Sequence, residues 1–375
     1  MLLPTFIPPV GEPIATRLRR GSPTFDWTFG GNYQPVFVDS GTTAVRLAIL
    51  VAQMRLGRNG TTWIPAYGCP DIPIACLAAD SEPILYDVEP DSPFFATGQR
   101  PPTDAIAAVA AHFLGLAHPR DSIRAAIHST QAILIEDSAQ RFPRPDERFF
   151  GDAVVLSFGR GKPLSLMEGG CLLLNTELFP LAKHAADAFG KGDSGLMGAI
   201  RRSVHDVAIR PWIYSLVRKL PGLRLGEVKF HEAPAPVQMG PRLVDMATRA
   251  AVGFQQEKHW IEQQNRSRAF VAARFPQLRD LATLLGQPGN RLLRVPFLAN
   301  SMQTAVDMCD ELVAAGIGAT RMYELAQPEL RGAPTTLVGN WSNARNFSRR
   351  LVTIPPVANI DSAWTRYRGM TVGRT

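Results

Sequence analysis

The stretch GDAVVLSFGRGKPLSLMEGGCLLL, residues 151–174, decides how the rest of the chain is read. Ala153 to Leu156 is a short apolar run of the kind that forms a buried strand, and it ends at Ser157. Lys162 follows with Gly159 and Gly161 beside it, then a Glu168-Gly169-Gly170 turn and a second apolar run, Cys171 to Leu174. A lysine between two such runs is displayed on a tight loop at a strand end, whereas a surface helix would have left it in water. Desolvation and cationic neighbours favour the neutral amine, the form that condenses with a carbonyl. A solvated lysine on a hairpin remains the plainer reading of this stretch alone.

Working outward, strands and helices alternate. Pro35 to Val38 predicts a strand that ends in Asp39-Ser40-Gly41-Thr42-Thr43, and a helix follows with Val45, Ala48, Ile49, Ala52 and Leu56 on one face, stopped by Gly57 and Gly60. Strand, Ser-Gly-Thr, helix is an arrangement that seats a phosphate on free amides and hydroxyls. It is also an ordinary N-cap. Further strands are expected at Thr62–Pro65, Pro83–Tyr86, Ala105–Ala111 and Ala132–Ile135, with helices near 72–79 and 120–130. Most of these strands are continuous apolar runs with polar residues gathered after them: Ala66 to Pro70, His112 to Gly115, and Glu136-Asp137-Ser138-Ala139-Gln140. That pattern predicts an α/β fold: a mainly parallel sheet covered by helices, with the ligand site at the carboxyl ends of the strands.

A chain of 375 residues has room for one large domain and a smaller one. Residues 1–30 read as an irregular arm anchored by Phe25, Trp27 and Phe29, and 31–241 as the large, ligand-binding domain. Residues 175–235 read as helical with a basic, glycine-punctuated middle. A single long helix over 242–274 is expected to lead into a small α+β domain ending at 375. Hydrophobic residues at 45% and charged residues at 19% describe a globular chain. Cys69, Cys76, Cys171 and Cys309 show no paired spacing, which points to a reducing cytoplasm and to no metal site. No stretch reaches the length of a membrane span, so a soluble protein with no membrane partner is expected. The net charge of +7 is spread in small clusters, without the basic stripe or aromatic platform of a nucleic-acid binder. No nucleic-acid partner is therefore expected, and a phosphate-bearing small molecule fits the charge.

Ser40-Gly41-Thr42, Asp137 with Gln140, Ser157 and Lys162 all fall at strand ends of this one sheet. Pyridoxal 5′-phosphate calls for such a set: a lysine for its aldehyde, amides and hydroxyls for its phosphate, and a carboxylate that keeps its pyridine nitrogen protonated. Asp137 alone would read as a helix cap or an ion-pair partner; its company gives it the third role.

In these residues the chain resembles the DegT/DnrJ/StrS family of aminotransferases, of the aspartate-aminotransferase fold type I. The family's SGTxAL element is matched by Ser40 to Val45, its proline-led loop by Ile64 to Tyr67, and its following Asp stretch by Pro83 to Asp87. Its histidine-glycine element is matched by His112 to Gly115, EDxAQ by Glu136 to Gln140, and SFxxxK…EGG by Ser157 through Lys162 to Gly170. The resemblance covers about residues 35–180 in order. It implies that Lys162 is the Schiff-base lysine and the proton carrier, that Asp137 pairs with the pyridine nitrogen, and that Gln140 meets the ring hydroxyl. Ser40, Gly41, Thr42 and Ser157 would hold the phosphate. Lysine at 162 disfavours the sugar dehydratase branch, which carries histidine there.

Three departures accompany the match. The cofactor-stacking aromatic is replaced by Cys69, leaving Tyr67 or His112 to pack on the ring. An asparagine-aromatic-arginine element by which the partner subunit reaches the phosphate is absent from Gly240 to Asp245, with Arg242 as the substitute, and a histidine-tyrosine pair is replaced by Met322-Tyr323. The resemblance implies a homodimer with sites at the subunit boundary. It also implies transfer of an amino group from an amino-acid donor such as glutamate to a keto-acceptor, a nucleotide-linked keto-sugar. Arg160, Arg242, Arg321 and Tyr323 are the candidates for substrate contact, although Arg160 and Arg321 read equally as solvated arginines. Two other readings stay open: a non-sugar acceptor, and a protein of this fold that has become a regulator or binding partner.

Overall fold

The computed structural model describes residues 6–10, 13–14, 18, 24–192, 196–218, 230–333, 337, 339, 341–357 and 359–372. The strands are β1 (Tyr33–Val38), β2 (Thr61–Pro65), β3 (Glu82–Tyr86), β4 (Ala105–Ala111), β5 (Ile133–Asp137), β6 (Ala153–Ser157), β7 (Gly170–Asn175), β8 (Gly190–Lys191) and β9 (Val237–Gln238). They form one sheet in the order β3-β2-β4-β5-β6-β7-β1-β9-β8. From β3 to β6 the neighbours are parallel. β7 is antiparallel to both β6 and β1. Register then gathers the chemistry. Ala111 lies opposite Asp137, and both Ser157 and Val38 lie opposite Gly170. The segments that begin at Asp39, His112, Ser138 and Phe158 therefore leave the sheet along one edge.

Helix α1 (Gly41–Leu56) crosses behind this edge, with Ala44, Val45, Leu47, Ala48, Ile49, Val51 and Ala52 all buried. A helix apolar over so wide an arc belongs inside, which is why α1 packs on five strands and two helices. On the other face, Trp27 is buried among Phe37, Phe142 and Phe158 and Phe29 against Phe25 and Phe149, and the Trp27 indole donates to Thr248 Oγ1 at 3.2 Å. Helices α2 (Asp71–Ala78) and α3 (Arg120–Ile127) lie close to their expected positions.

Between 175 and 235 the chain holds α4 (Phe179–Asp187), α5 (Leu196–Ala208) and α6 (Pro211–Val217), and also the two-residue strand β8, which helical periodicity did not show and which pairs with β9 just beyond. The basic, Pro221-containing stretch 219–229 lies outside the described residues.

The single helix expected over 242–274 is two: α7 (Pro241–Gln256) and α8 (His259–Arg274). Glu257 turns extended (ψ 118°) because Arg291 captures the end of α7. The Arg291 guanidinium donates to the Phe254 carbonyl and pairs with Glu257 at 2.6 Å, 3.5 Å above the Phe254 ring. A cation from beyond the helix satisfies a carbonyl that the next helical turn would otherwise have used.

The remaining elements are β10 (Leu278–Asp280), α9 (Leu281–Leu284), β11 (Val295–Ala299), α10 (Met302–Ala314), α11 (Ser342–Arg350), β12 (Leu351–Ile354) and α12 (Ile360–Val372). β10, β11 and β12 form a second, antiparallel sheet that shares an apolar core with the first. Arg294 is buried beside it. Its guanidinium donates to Thr353 Oγ1 (2.7 Å), Thr353 O (2.8 Å), Gly318 O (2.7 Å) and Pro9 O, tying residues 6–10 to β12. Burial lowers its pKa to about 10, so it stays charged at neutral pH. Arg294→Met strands these acceptors and is expected to cost about 3 kcal/mol, seen as an earlier urea midpoint. An unchanged midpoint would show that the arginine is not a tie.

Candidate active site

Along the gathered edge lies a cavity of about 400 Å³, lined among others by Ser40, Gly41, Thr42, Tyr67, Cys69, His112, Asp137, Gln140, Ser157, Arg160, Lys162, Glu168 and Tyr323. Eleven of the thirteen residues predicted from the sequence are in this set. Arg242 and Arg321 are not. Arg242 is exposed in the first turn of α7, and Arg321 pairs with Glu324 at 2.6 Å.

Ser40 is the N-cap of α1: its Oγ accepts from Thr43 N (3.1 Å) and its carbonyl from Ala44 N (3.1 Å). The plain cap reading therefore holds for Ser40 itself. It leaves the amides of Gly41 and Thr42, at the cavity wall, without an acceptor among the described residues. Gly41 has to be glycine here. A Cβ on it would sit 2.8 Å from Ser157 Cβ and 3.0 Å from Ser157 Oγ, so the helix start and the end of β6 approach over a bare backbone. Gly41→Ala is expected to lose about 1–3 kcal/mol of stability and to weaken cofactor binding. Both are read from thermal melts with and without the cofactor, and equal losses in the two melts would sink the binding half of this prediction.

Asp137 ends β5. One carboxylate oxygen accepts from Ala139 N at 3.0 Å; the other has no partner among the described residues. Burial pushes its pKa above the ordinary 3.8, against the opposing pull of Lys162. Lys162 lies on the turn after β6, at whose apex Gly161 takes a left-handed φ of 73°. Its amine makes no hydrogen bond or ion pair with any described residue.

His112 ends the polar edge of β4. Its Nδ1 accepts from His118 N (2.9 Å), so Nε2 carries the proton and donates to Glu136 (3.1 Å). Glu136 also accepts from the amides of Phe150 and Gly151. The imidazole is thus held at both nitrogens. Tyr67 is held differently: its hydroxyl donates to Met322 O (2.9 Å) and its ring packs edge-on to Phe347 and Tyr323. Gln140 accepts from Leu114 N (3.0 Å) and donates to Tyr323 OH (3.0 Å). Burial first and Asp71 second raise the pKa of the Cys69 thiol to about 12, so at neutral pH it stays protonated.

The sequence showed no partner for Glu168. It pairs at 2.7 Å with Arg202 of α5, a buried arginine from 34 residues later. Nothing local marks Arg202, because its role depends on where α5 lands. Among the described residues, no cluster of three or more His, Cys, Asp or Glu could hold a metal ion.

An unpaired amine, a buried carboxylate with a spare oxygen and unclaimed helix-start amides in one cavity are a donor set that fits pyridoxal 5′-phosphate. The family model of the DegT/DnrJ/EryC1/StrS aminotransferase family matches residues 27–366. The chain belongs to that family. As a DegT/DnrJ/EryC1/StrS aminotransferase it is a transferase that uses pyridoxal phosphate, on the mixed α/β fold described above. Solved structures show the same fold at low identity. A DegT/DnrJ/EryC1/StrS aminotransferase from Brucella abortus is 17% identical, with 91% of this chain and 86% of that one covered at a TM-score of 0.58. PseC of Helicobacter pylori, an aminotransferase involved in pseudoaminic acid biosynthesis, is 14% identical over 97% and 98%, at 0.60. The E. coli GDP-4-keto-6-deoxy-D-mannose-3-dehydratase is 15% identical over 96% and 91%, at 0.61. No curated protein sequence matches the chain. Transaminase and dehydratase are thus alike in fold.

Proposed function

We propose that this enzyme moves an amino group from an amino acid, glutamate being the first candidate, to a nucleotide-linked keto-sugar in amino-sugar, polysaccharide or secondary-metabolite biosynthesis. One observation carries the reading: an unpaired lysine amine, Lys162, shares a cavity with the buried carboxylate of Asp137. Lysine rather than histidine at this position supports amine transfer over dehydration. The family and the sugar-nucleotide and pseudoaminic acid neighbours support a sugar acceptor.

When bound, the cofactor supplies the electron sink for the pair left by the departing substrate proton. The chain does the rest. Lys162 Nζ would bind the cofactor's aldehyde, and its amine is the base that would take a proton from the substrate carbon and return it. Asp137 keeps the ring nitrogen protonated with the oxygen that Ala139 leaves free. The amides of Gly41 and Thr42, with Ser157 and the Ser40 cap, hold the phosphate at the positive end of α1. His112, locked at both nitrogens, gives the ring a flat neighbour. Gln140, oriented by Leu114 and Tyr323, would meet the ring hydroxyl. Arg160, exposed at the cavity wall, is free to meet a carboxylate or a diphosphate. Arg242 and Arg321 stand off this cavity, so we assign them to the substrate only through a second copy of the chain, in a homodimer.

The test is a half-reaction. Purified protein loaded with cofactor is yellow, and glutamate should bleach the colour until a keto-sugar nucleotide restores it. Colour that no amino acid bleaches would leave binding without transfer and overturn the proposal.

A further inference from the structure

Helices α5 and α6 form a hairpin whose amphipathicity is turned inside out. Its polar side faces the body of the protein. Arg202 pairs with Glu168 at 2.7 Å, Asp206 accepts from Ile14 N (2.7 Å), and Ser215 accepts from Phe6 N (2.8 Å). The outward side carries Ile200, Val204 and Val207, then Trp212 and Leu216, with Val204 at 61%, Leu216 at 57% and Trp212 at 56% exposed. Five of the eleven large apolar side chains exposed among the described residues fall in this short stretch. The spacings i, i+4, i+7 and i, i+4 make two continuous apolar stripes. Polar bonds on the inner side fix the orientation, so the apolar side has no way to turn inward. A patch of this kind is built to be covered.

Charge selects what covers it. Arg201 and Arg210 are exposed along the hairpin, Arg218 is exposed at its end with its guanidinium 4.3 Å over the Phe6 ring, and Asp206 is its sole carboxylate and already engaged below. Two copies meeting through this same face would set arginines against arginines, because a two-fold contact pairs a patch with itself. An anionic bilayer neutralises them while its interface takes up the apolar side chains, with tryptophan at the headgroup level. Where the hairpin turns, an apolar cleft of about 470 Å³ opens between Ile209, Ile7, Trp260, Leu293 and Val357, with Arg210 among its lining, room enough for part of an acyl chain.

We infer that the α5–α6 hairpin docks the enzyme on the surface of an anionic phospholipid membrane. This revises the sequence expectation of no membrane partner, which rested on the lack of a spanning segment. Among the described residues no helix is long and apolar enough to cross a bilayer, and none is required to lie on one. Through Arg202 and Glu168 the hairpin is joined to the cavity wall, so docking would bring the active site to the bilayer surface.

The test is sedimentation of the full chain with vesicles of phosphatidylcholine alone or mixed with phosphatidylglycerol. Binding is expected to the mixed vesicles only, weakened by salt. Replacing Arg201, Arg210 or Arg218 by glutamine should lower partitioning about fivefold each. The double variant Val204→Glu with Leu216→Glu should abolish it while its thermal melt stays at the wild-type temperature, which shows an intact fold. The inference is overturned if wild type stays in the supernatant with mixed vesicles. It is also overturned if the double variant still binds vesicles, and light scattering that shows a dimer falling to monomer would then mark the face as a subunit contact. The outcome is separate from the proposed reaction, since vesicle binding is read without any substrate.

Discussion

Replacing Lys162 by alanine is expected to lower the rate of amino transfer by about 1,000-fold or more while the chain still folds and still takes up cofactor. The amine makes no hydrogen bond or ion pair with another described residue, so its loss removes chemistry and breaks no polar bond of the site. The amides at the start of α1 and the carboxylate of Asp137 remain to hold the cofactor without a covalent link. The visible absorption should therefore revert to that of free pyridoxal phosphate, and the bound cofactor should wash out on desalting. Rate, spectrum and thermal melt measured together decide the matter. A variant with wild-type turnover would show that another group moves the proton, and one with a much lower melting temperature would show that the lysine is structural.

Asp137→Asn is expected to separate stability from function. The carboxyl is buried and its pKa is raised in the folded chain, burial being the main cause. A carboxyl raised above its unfolded value of 3.8 favours the fold at lower pH and forfeits that contribution as pH rises through the folded value. Neutral asparagine does not titrate and can still accept from Ala139 N. The cofactor-free variant should therefore melt higher than cofactor-free wild type at neutral pH, with the gap shrinking toward pH 4. The cofactor's ring nitrogen would lose its counter-charge in the same variant. Glutamate-driven bleaching should slow by about 100-fold or more, the scale on which a proton-placing group contributes. If the loaded variant bleaches at the wild-type rate, Asp137 is a fold residue only.

Much of the site was readable because each part of it is local. Ser40-Gly41-Thr42 is legible because a strand, a cap and a helix start fall within a few residues. The Lys162 loop is legible because its two strands pair with each other, with Ser157 opposite Gly170. Asp137 and Gln140 follow directly from the end of β5. Each depends on apolar runs and on turn chemistry that neighbours in sequence supply. The two helices read as one show the opposite case. Residues 242–274 have helical composition throughout, and the break at Glu257 is made by Arg291, which no periodicity can locate.

From its amino acids alone, the chain settles its own class and chemistry: alternating apolar strands and helices with a lysine, a carboxylate and a helix start at strand ends. Tertiary structure decided what depends on distant chain meeting. It left Arg242 and Arg321 off the cavity, held His112 at both nitrogens, and set Arg202 under Glu168. It also turned the apolar side of α5–α6 outward, a choice made by buried polar bonds to Glu168, Ile14 and Phe6 that hydropathy cannot register. The physical reason is one of range. Propensity and patterning act over a few residues, whereas the partner of a buried charge is chosen by the folded chain as a whole.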